Sequence, residues 1–331
     1  MNDSNKNRGF LSPLGCFALM LALFVPLFAQ AYTGITVVLS ASTATNLEFV
    51  DNLRDELAAV KNHNLKVKVI ELKDNEKLVV AENSELVIAL GVKALEAASK
   101  LRYSTPVLGV FTPLPTFNAL LANSKRDLDT FSAVVLDQPY WRQISLIKTI
   151  LPDAKNLGIM LGQSSAQYGD ILLEEGEEVS LNVDLENVNQ ESDLIAKLKK
   201  VLEANDVLLA IPDPLIYNRE TAQPILLTSY RHQKPVFGYS QSYVRAGALA
   251  AVYSSTRQLA KQTAEIAIKA QQAPSALPPP QAPKYFSIAI NRQVARSLNI
   301  TVLDDELIYK KMLQLESHEQ NEYDEKSEAR H

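Results

Sequence analysis

Ser145 and Lys148 stand three residues apart in the segment RQISLIKTIL. That Ser-x-x-Lys spacing sets a hydroxyl beside an amine in serine acyl-enzymes. The flanking Ile144, Ile147, Ile150 and Leu151 recur at the helical period, so the segment reads as an amphipathic helix lying on a sheet, with Ser145 and Lys148 as a solvent-facing pair. The companion motifs of such enzymes are missing, as are nucleophile elbows, Walker loops, dinucleotide fingerprints and paired-histidine zinc spacings. Eleven glycines in 331 residues leave little material for phosphate-cradling loops. His63, His232, His318 and His331 are scattered and read as surface residues. A metal role for His318 with Glu316 and Glu319 would need a tail that preorganises its ligands. The expectation is a protein without catalysis, metal or cofactor.

Polar chemistry gathers instead where apolar runs end. In open parallel sheets, ligands bind outside the carboxyl ends of the strands, where loops present polar groups against a rigid base. Reading those ends in order gives Ser42, Gly91, Thr112, Gln138, Ser164, Asp213, Tyr217, Tyr239 and Ser240 as candidate ligand-binding residues. Hydroxyls and helix N-termini hold carboxylates and tyrosines stack on rings, so the set suits a small polar or zwitterionic ligand with an apolar or aromatic part. Ser42, Thr45, Ser164 and Ser165 serve equally well as helix N-caps. Tyr217 divides evenly between ligand contact and cover for a sheet edge, whereas Tyr239 and Ser240 are assigned to the site. The stretch 239–243 reads as a binding loop between a buried strand at 234–238 and a strand resuming at 247–252.

The elements that must position these residues follow one alternation. Strands are expected at 35–39, 67–72, 86–90, 107–111 and 132–136, with helices at 47–60, at 93–101 and after Pro115. A second series carries strands at 157–161, 179–185, 207–211 and 236–238, interleaved with helices at 141–150, 168–175, 193–202 and 220–230. Alternating short β-branched runs and amphipathic segments are the mark of parallel sheets covered on both faces. The halves echo one another: TPVLGVF at 105–111 is matched by KPVFGYS at 234–240. A polar helix at 257–271, a proline-rich connection, a last strand at 286–290 and a helix at 293–298 complete the set, and 317–331 reads as a disordered tail.

Bulk properties bound the rest. A net charge of −5 without clustered Lys and Arg argues against nucleic acid as a partner. Lys6 and Arg8, the apolar run 16–28 and Ala29-Gln30-Ala31 form the three parts of a secretory signal, placing the mature start at Tyr32 and the protein in the periplasm. Cys16, the one cysteine, opens that run rather than following it, and Pro13-Leu14-Gly15 stand before the run, so the protein is not read as a lipoprotein. The mature chain then has no thiol for disulfides or metal.

The segment DQP at 137–139 followed by QISLIKTILPDAKNLGI at 143–159 resembles the start of the second lobe in the ABC-transporter substrate-binding protein family, whose better-known members bind aromatic amino acids. KPVFG at 234–238, VRAGALA at 244–250, LAKQTAEIA at 259–267 and INRQVARSLNI at 290–300 carry the same resemblance. It implies an α/β type I periplasmic-binding-protein fold: two Rossmann-like lobes with parallel sheets, joined by a three-crossing hinge. The implied lobes are 32–138 with 253–273 and 139–252 with 283–315, with 1–31 the signal peptide, 274–282 the proline-rich crossing and 316–331 the tail. Family contacts fall on Ser42, Gly91, Thr112, Gln138, Ser164, Asp213 and Ser240. The implied partners are a small-molecule ligand and an ABC permease in the inner membrane, served by a monomer. Two departures stand in first-lobe loops: 112–115 reads TPLP where an acidic residue and a proline are usual, and 130–136 lacks the family's glycine-containing segment. They leave a second expectation, a sensory or scaffolding module with a degenerate cleft that contacts an envelope partner.

Overall fold

The strands β1 (Gly34–Leu39), β3 (Leu86–Leu90), β4 (Val107–Thr112) and β5 (Phe131–Val135) are aliphatic runs whose residues are almost all buried. Runs with no polar face need cover on both sides, which a parallel sheet flanked by helices supplies. The edge strand β2 (Lys66–Glu71) alternates lysine with valine and stays partly exposed. These five strands form one parallel sheet in the order β2-β1-β3-β4-β5. The computed structural model describes residues 34–60, 65–73, 78–80, 86–272 and 276–328; the expected signal peptide, the mature start, Cys16, His63 and His331 lie outside them.

Among the helices that clothe this sheet are α1 (Ala44–Ala59), α2 (Val92–Ser99) and α3 (Leu114–Ala122). On α1 the buried residues Phe49, Val50, Leu53 and Leu57 share one face at the 3.6-residue period. The second sheet holds β6 (Asn156–Leu161), β7 (Asn182–Asn187), β8 (Val207–Leu209), β9 (Val236–Gly238), β10 (Ala250–Tyr253) and β11 (Ser287–Ile290), in the order β11-β10-β9-β8-β6-β7. All its pairs are parallel except β10 with β11. Its helices are α4 (Tyr140–Ile150), α5 (Gly169–Glu178), α6 (Leu194–Ala204), α7 (Ala222–Arg231) and the short α8 (Gln241–Ala246). Then come α9 (Thr256–Gln272), α10 (Arg292–Ser297) and α11 (Asp305–Glu328). Each sheet has a separate apolar cluster on either face.

The chain passes between the sheets three times. It leaves the first after β5, near Asp137, and returns between β10 and α9, whose Leu259, Ala260 and Ala264 join the cluster holding Phe49 and Leu53. The third passage departs from expectation. The amides of Leu277 and Gln281 donate to the carbonyls of Asp129 and Ala133, and the Val135 amide donates to Gln281 O. Residues up to Gln281 thus run along β5 as an edge of the first sheet, and the crossing falls at 282–286 rather than 274–282. Proline cannot donate, but the non-proline residues of this stretch can, and β5 would otherwise end the sheet with unpaired groups.

Three further expectations are corrected. The tail placed at 316–331 is helical through Glu328 as the continuation of α11, anchored by buried Ile308 and Met312. Because α11 packs on α4, the supposed solvent face of α4 is covered and Ser145 is buried rather than exposed. Lys148 Nζ donates to Pro152 O and Ala154 O, both at 2.9 Å, closing the carboxyl end of that helix instead of activating a hydroxyl. Finally, 239–243 is a loop only in part: Tyr239 and Ser240 link β9 to α8, whose first turn begins at Gln241 and is capped by Ser240 Oγ accepting from Tyr243 N.

Candidate functional site

Between β1 and β3, where the first sheet reverses its strand order, Gly91 begins α2 with φ +86°. A Cβ there would stand 3.0 Å from Ser40 Oγ. That hydroxyl donates to Leu90 O at 2.8 Å and accepts from Ala94 N at 3.0 Å. Gly91 therefore serves the turn, which only a residue tolerant of positive φ makes without strain. Ser42 is exposed and committed to Glu71, through its amide at 2.9 Å and its hydroxyl at 2.5 Å. These bonds hold the Glu71 carboxyl below its ordinary range. The N-cap of α1 is Thr43, which accepts from Asn46 N at 3.2 Å.

The second sheet's reversal, between β6 and β8, is closed in the same way. Asp213 is buried; its Oδ2 accepts from Ser165 N at 3.1 Å and Ser165 Oγ at 2.8 Å, and its Oδ1 from Leu215 N at 2.9 Å. Ser165 Oγ in turn accepts from Gly162 N at 3.0 Å. Asp213 is thus a loop lock whose acceptors are taken. Ser164 is exposed and offers its carbonyl to Gln167. Thr112 is fully buried with an unpartnered hydroxyl. It follows Phe111, whose φ of +59° accompanies a register shift between β4 and β5.

The three tyrosines form one aromatic cluster. Tyr239 stacks on Tyr243 with centroids 5.4 Å apart, and Tyr217 meets both edge-on at about 6 Å. Burial pushes all three phenols up. Tyr217 is 6% exposed and belongs to the core beneath.

A cavity of about 760 Å³ opens where the lobes meet. Of the nine residues expected at the site, Gln138, Tyr239 and Ser240 line it; Ser42, Gly91, Thr112, Ser164, Asp213 and Tyr217 do not. Glu48, Pro113 and Leu136 enter from the first lobe, and Asp137 and Ser254 from the crossings. Tyr140, Gln143 and Arg245 enter from the second. Gln138 lines the wall with both amide ends engaged: Nε2 donates to Ser254 Oγ at 2.8 Å and Oε1 accepts from Arg142 at 2.7 Å. Asp137 Oδ2 accepts from Leu114 N at 2.6 Å, and burial raises its carboxyl above the ordinary range against that bond. Tyr140 and Tyr168 pack together beside it with centroids 5.3 Å apart; burial, reinforced by Asp137, pushes the Tyr168 phenol up to about 12.

Sequence reasoning missed Asp137, Gln143 and Arg245 as lining residues. Asp137 did carry a signal, since it ends a strand beside Gln138. Gln143 and Arg245 carried none, because they sit within helices whose rotation only packing sets. Among the described residues no group of His, Cys, Asp and Glu side chains could hold a metal.

Two α/β lobes with mainly parallel sheets, hinged by three crossings over a polar and aromatic cleft, define a type I periplasmic-binding-protein fold. The chain belongs to the ABC transporter substrate-binding protein family, whose model matches residues 56–312. Similar solved structures include a Streptococcus pneumoniae ABC domain in complex with L-Trp, at 19% identity and TM-score 0.57, covering 84% of this chain and 98% of that one. A ligand-free, open substrate-binding protein with adhesive properties from Clostridium difficile aligns at 16% identity and TM-score 0.63, over 83% and 97% of the chains. A conserved domain protein from Vibrio cholerae aligns at 20% and 0.56, over 82% and 96%. These likenesses concern the fold. No curated protein sequence matches the chain. No described helix is long and apolar enough to cross a membrane.

Proposed function

We propose that this protein captures a small molecule, an amino acid or a related compound, in the interlobe cleft and delivers it to an ABC importer in the inner membrane. The supporting observation is the cavity itself: both lobes and the crossings contribute walls to one space of about 760 Å³, the size of a small-ligand site. Apolar and aromatic surfaces from Leu136, Tyr140 and Tyr239 alternate with polar groups from Asp137, Gln143 and Ser240. Lobe closure about the crossings would shut the ligand away and shape the surface a permease reads. The 1–31 segment exports the chain to the periplasm.

A thermal-denaturation screen with the common amino acids tests this. A ligand that binds only the folded state stabilises it by RT ln(1 + [L]/Kd), about 2.7 kcal/mol at a hundredfold excess over Kd. The expected result is a midpoint that climbs with concentration for one chemical subset. No response to any small solute would overturn solute capture.

A second reading, an envelope-contacting module with a degenerate cleft, draws on two observations. Both strand-order reversals are closed by internal bonds, at Ser40 and at Asp213, and α11 leaves Leu307, Leu313 and Leu315 exposed. It predicts no solute response together with specific retention by one envelope protein.

A further inference from the structure

The carboxyl-terminal helix reaches the hinge. Arg142, in the first turn of α4 just beyond the first crossing, is buried, and its guanidinium bonds to two crossings at once. Nη1 donates to Gln138 Oε1 on the first at 2.7 Å and to Pro283 O on the third at 3.0 Å. Nη2 pairs with Glu316 of α11. A planar, rigid fork reaches these partners together only in a narrow set of orientations. Glu316 lies past the family-matched residues 56–312, so this contact is built outside the stretch the family shares.

The helix that carries Glu316 is itself fixed. Ile308 and Met312 of α11 are fully buried, and Thr149 Oγ1 of α4 donates to Met312 Sδ at 3.7 Å. Tyr309 packs against Phe286, at the end of the third crossing, with ring centroids 5.4 Å apart. α11 therefore meets the third crossing directly as well as through Arg142. Without Glu316 the buried guanidinium would keep its charge and lose its counter-charge. Turning toward water would relieve that cost and break both bonds to the crossings.

We propose that α11 is a brace on the hinge: Glu316 is a positioning residue that holds Arg142 across the first and third crossings and so narrows the range of angles the two lobes adopt. Rotation of one lobe on the other is absorbed in the backbone of the crossings, and two crossings tied to one guanidinium cannot turn independently. The brace acts whether or not the cleft takes a solute, so it stands apart from the function proposed above.

The test is distance measurement by pulsed electron spin resonance between paired spin labels. The chain's one cysteine, Cys16, lies in the expected signal segment, so the exported chain carries labels only at introduced cysteines. One pair spans the lobes, Asp55→Cys on α1 with Gln223→Cys on α7; the other stays within the second lobe, Asp170→Cys on α5 with Gln223→Cys. All three positions are exposed. Glu316→Ala is expected to broaden the interlobe distance distribution and leave the intralobe one unchanged. Glu316→Gln, which keeps an acceptor for Nη2 but not the counter-charge, should broaden it less. An interlobe distribution as narrow in Glu316→Ala as in the unsubstituted chain overturns the brace. So does equal broadening of both pairs, which would mean a general loosening of the second lobe. If Glu316→Ala does not fold by circular dichroism, Glu316→Gln decides: broadening of the interlobe pair alone supports the brace, and any other result overturns it.

Discussion

Gln138 Nε2 donates to Ser254 Oγ at 2.8 Å, and the same hydroxyl donates to Tyr285 O at 2.6 Å, so one serine joins all three crossings of the hinge. Replacing Ser254 with alanine would strand a donor on the first crossing and an acceptor on the third. Losing buried partners in this way costs about 1–3 kcal/mol. Chemical denaturation should therefore show a lowered midpoint with an unchanged m-value.

Arg142 extends that network to the carboxyl-terminal helix. Its guanidinium is 3% exposed, donates to Gln138 Oε1 and, at 3.0 Å, to Pro283 O, pairs with Glu316, and lies 4.6 Å from the Phe286 ring centroid. Burial pulls it below its ordinary value while Glu316 pulls it back. Arg142→Ala should destabilise by about 3–5 kcal/mol, the scale for breaking a buried charge pair. Arg142→Lys should recover little, since a single ammonium cannot span the partners a planar fork reaches. Urea denaturation of both variants checks this.

Gly162 tests the lock at the second reversal. A Cβ there would meet Asp213 Oδ1 at 2.4 Å, too close for either group to stay in place. Gly162→Ala should displace the carboxylate from Ser165 and destabilise by about 1–3 kcal/mol. Combined with Asp213→Ala, its cost should be far from additive, because both changes break one contact set. A double-mutant cycle reads the difference.

Tyr217 and Tyr243 carry buried hydroxyls without hydrogen-bond partners. Tyr217→Phe and Tyr243→Phe remove an unsatisfied group while keeping the ring, so each should leave stability unchanged or raise it by up to about 1 kcal/mol. A loss would mean that the hydroxyl is satisfied in solution. Thermal melts at one pH settle the sign.

Asp137 makes stability depend on pH. Burial raises its folded carboxyl above the 3.8 of an ordinary aspartate, so the folded chain binds a proton at a pH where the unfolded chain does not. Its contribution to stability therefore grows as pH falls through the raised value, and levels off below the unfolded one. Wild type minus Asp137→Asn, followed by chemical denaturation across pH, should show stability rising on acidification through this window.

The alternation of aliphatic runs and amphipathic helices was legible because burial on both faces of a strand leaves a direct mark on residue type. β1, β3 and β9 stand within one residue of their expected places for that reason. Two departures arise from what sequence does not encode locally. The 239–243 stretch reads as a loop because α8 is six residues long, too short to display a period. The tail reads as disordered because the segment beyond residue 316 is polar, whereas Ile308 and Met312, just before it, anchor α11 on α4.

The sequence by itself determined the alternation of buried strands with covering helices and the strand-end loops that could carry a site, since both follow from local hydrophobic pattern and turn chemistry. The two-lobed division was implied by the family resemblance. Only the tertiary structure decided which polar residues were free to act. Asp213, Gln138 and Ser42 have the right chemistry, but neighbours 48, 116 and 29 positions away in the chain consume their hydrogen-bonding groups. Asp137, on the cleft wall, is reached from another element by one backbone amide, and Gln143 Oε1 is buried without a partner. A side chain's type fixes what it can bind, and long-range packing fixes whether that capacity is already spent.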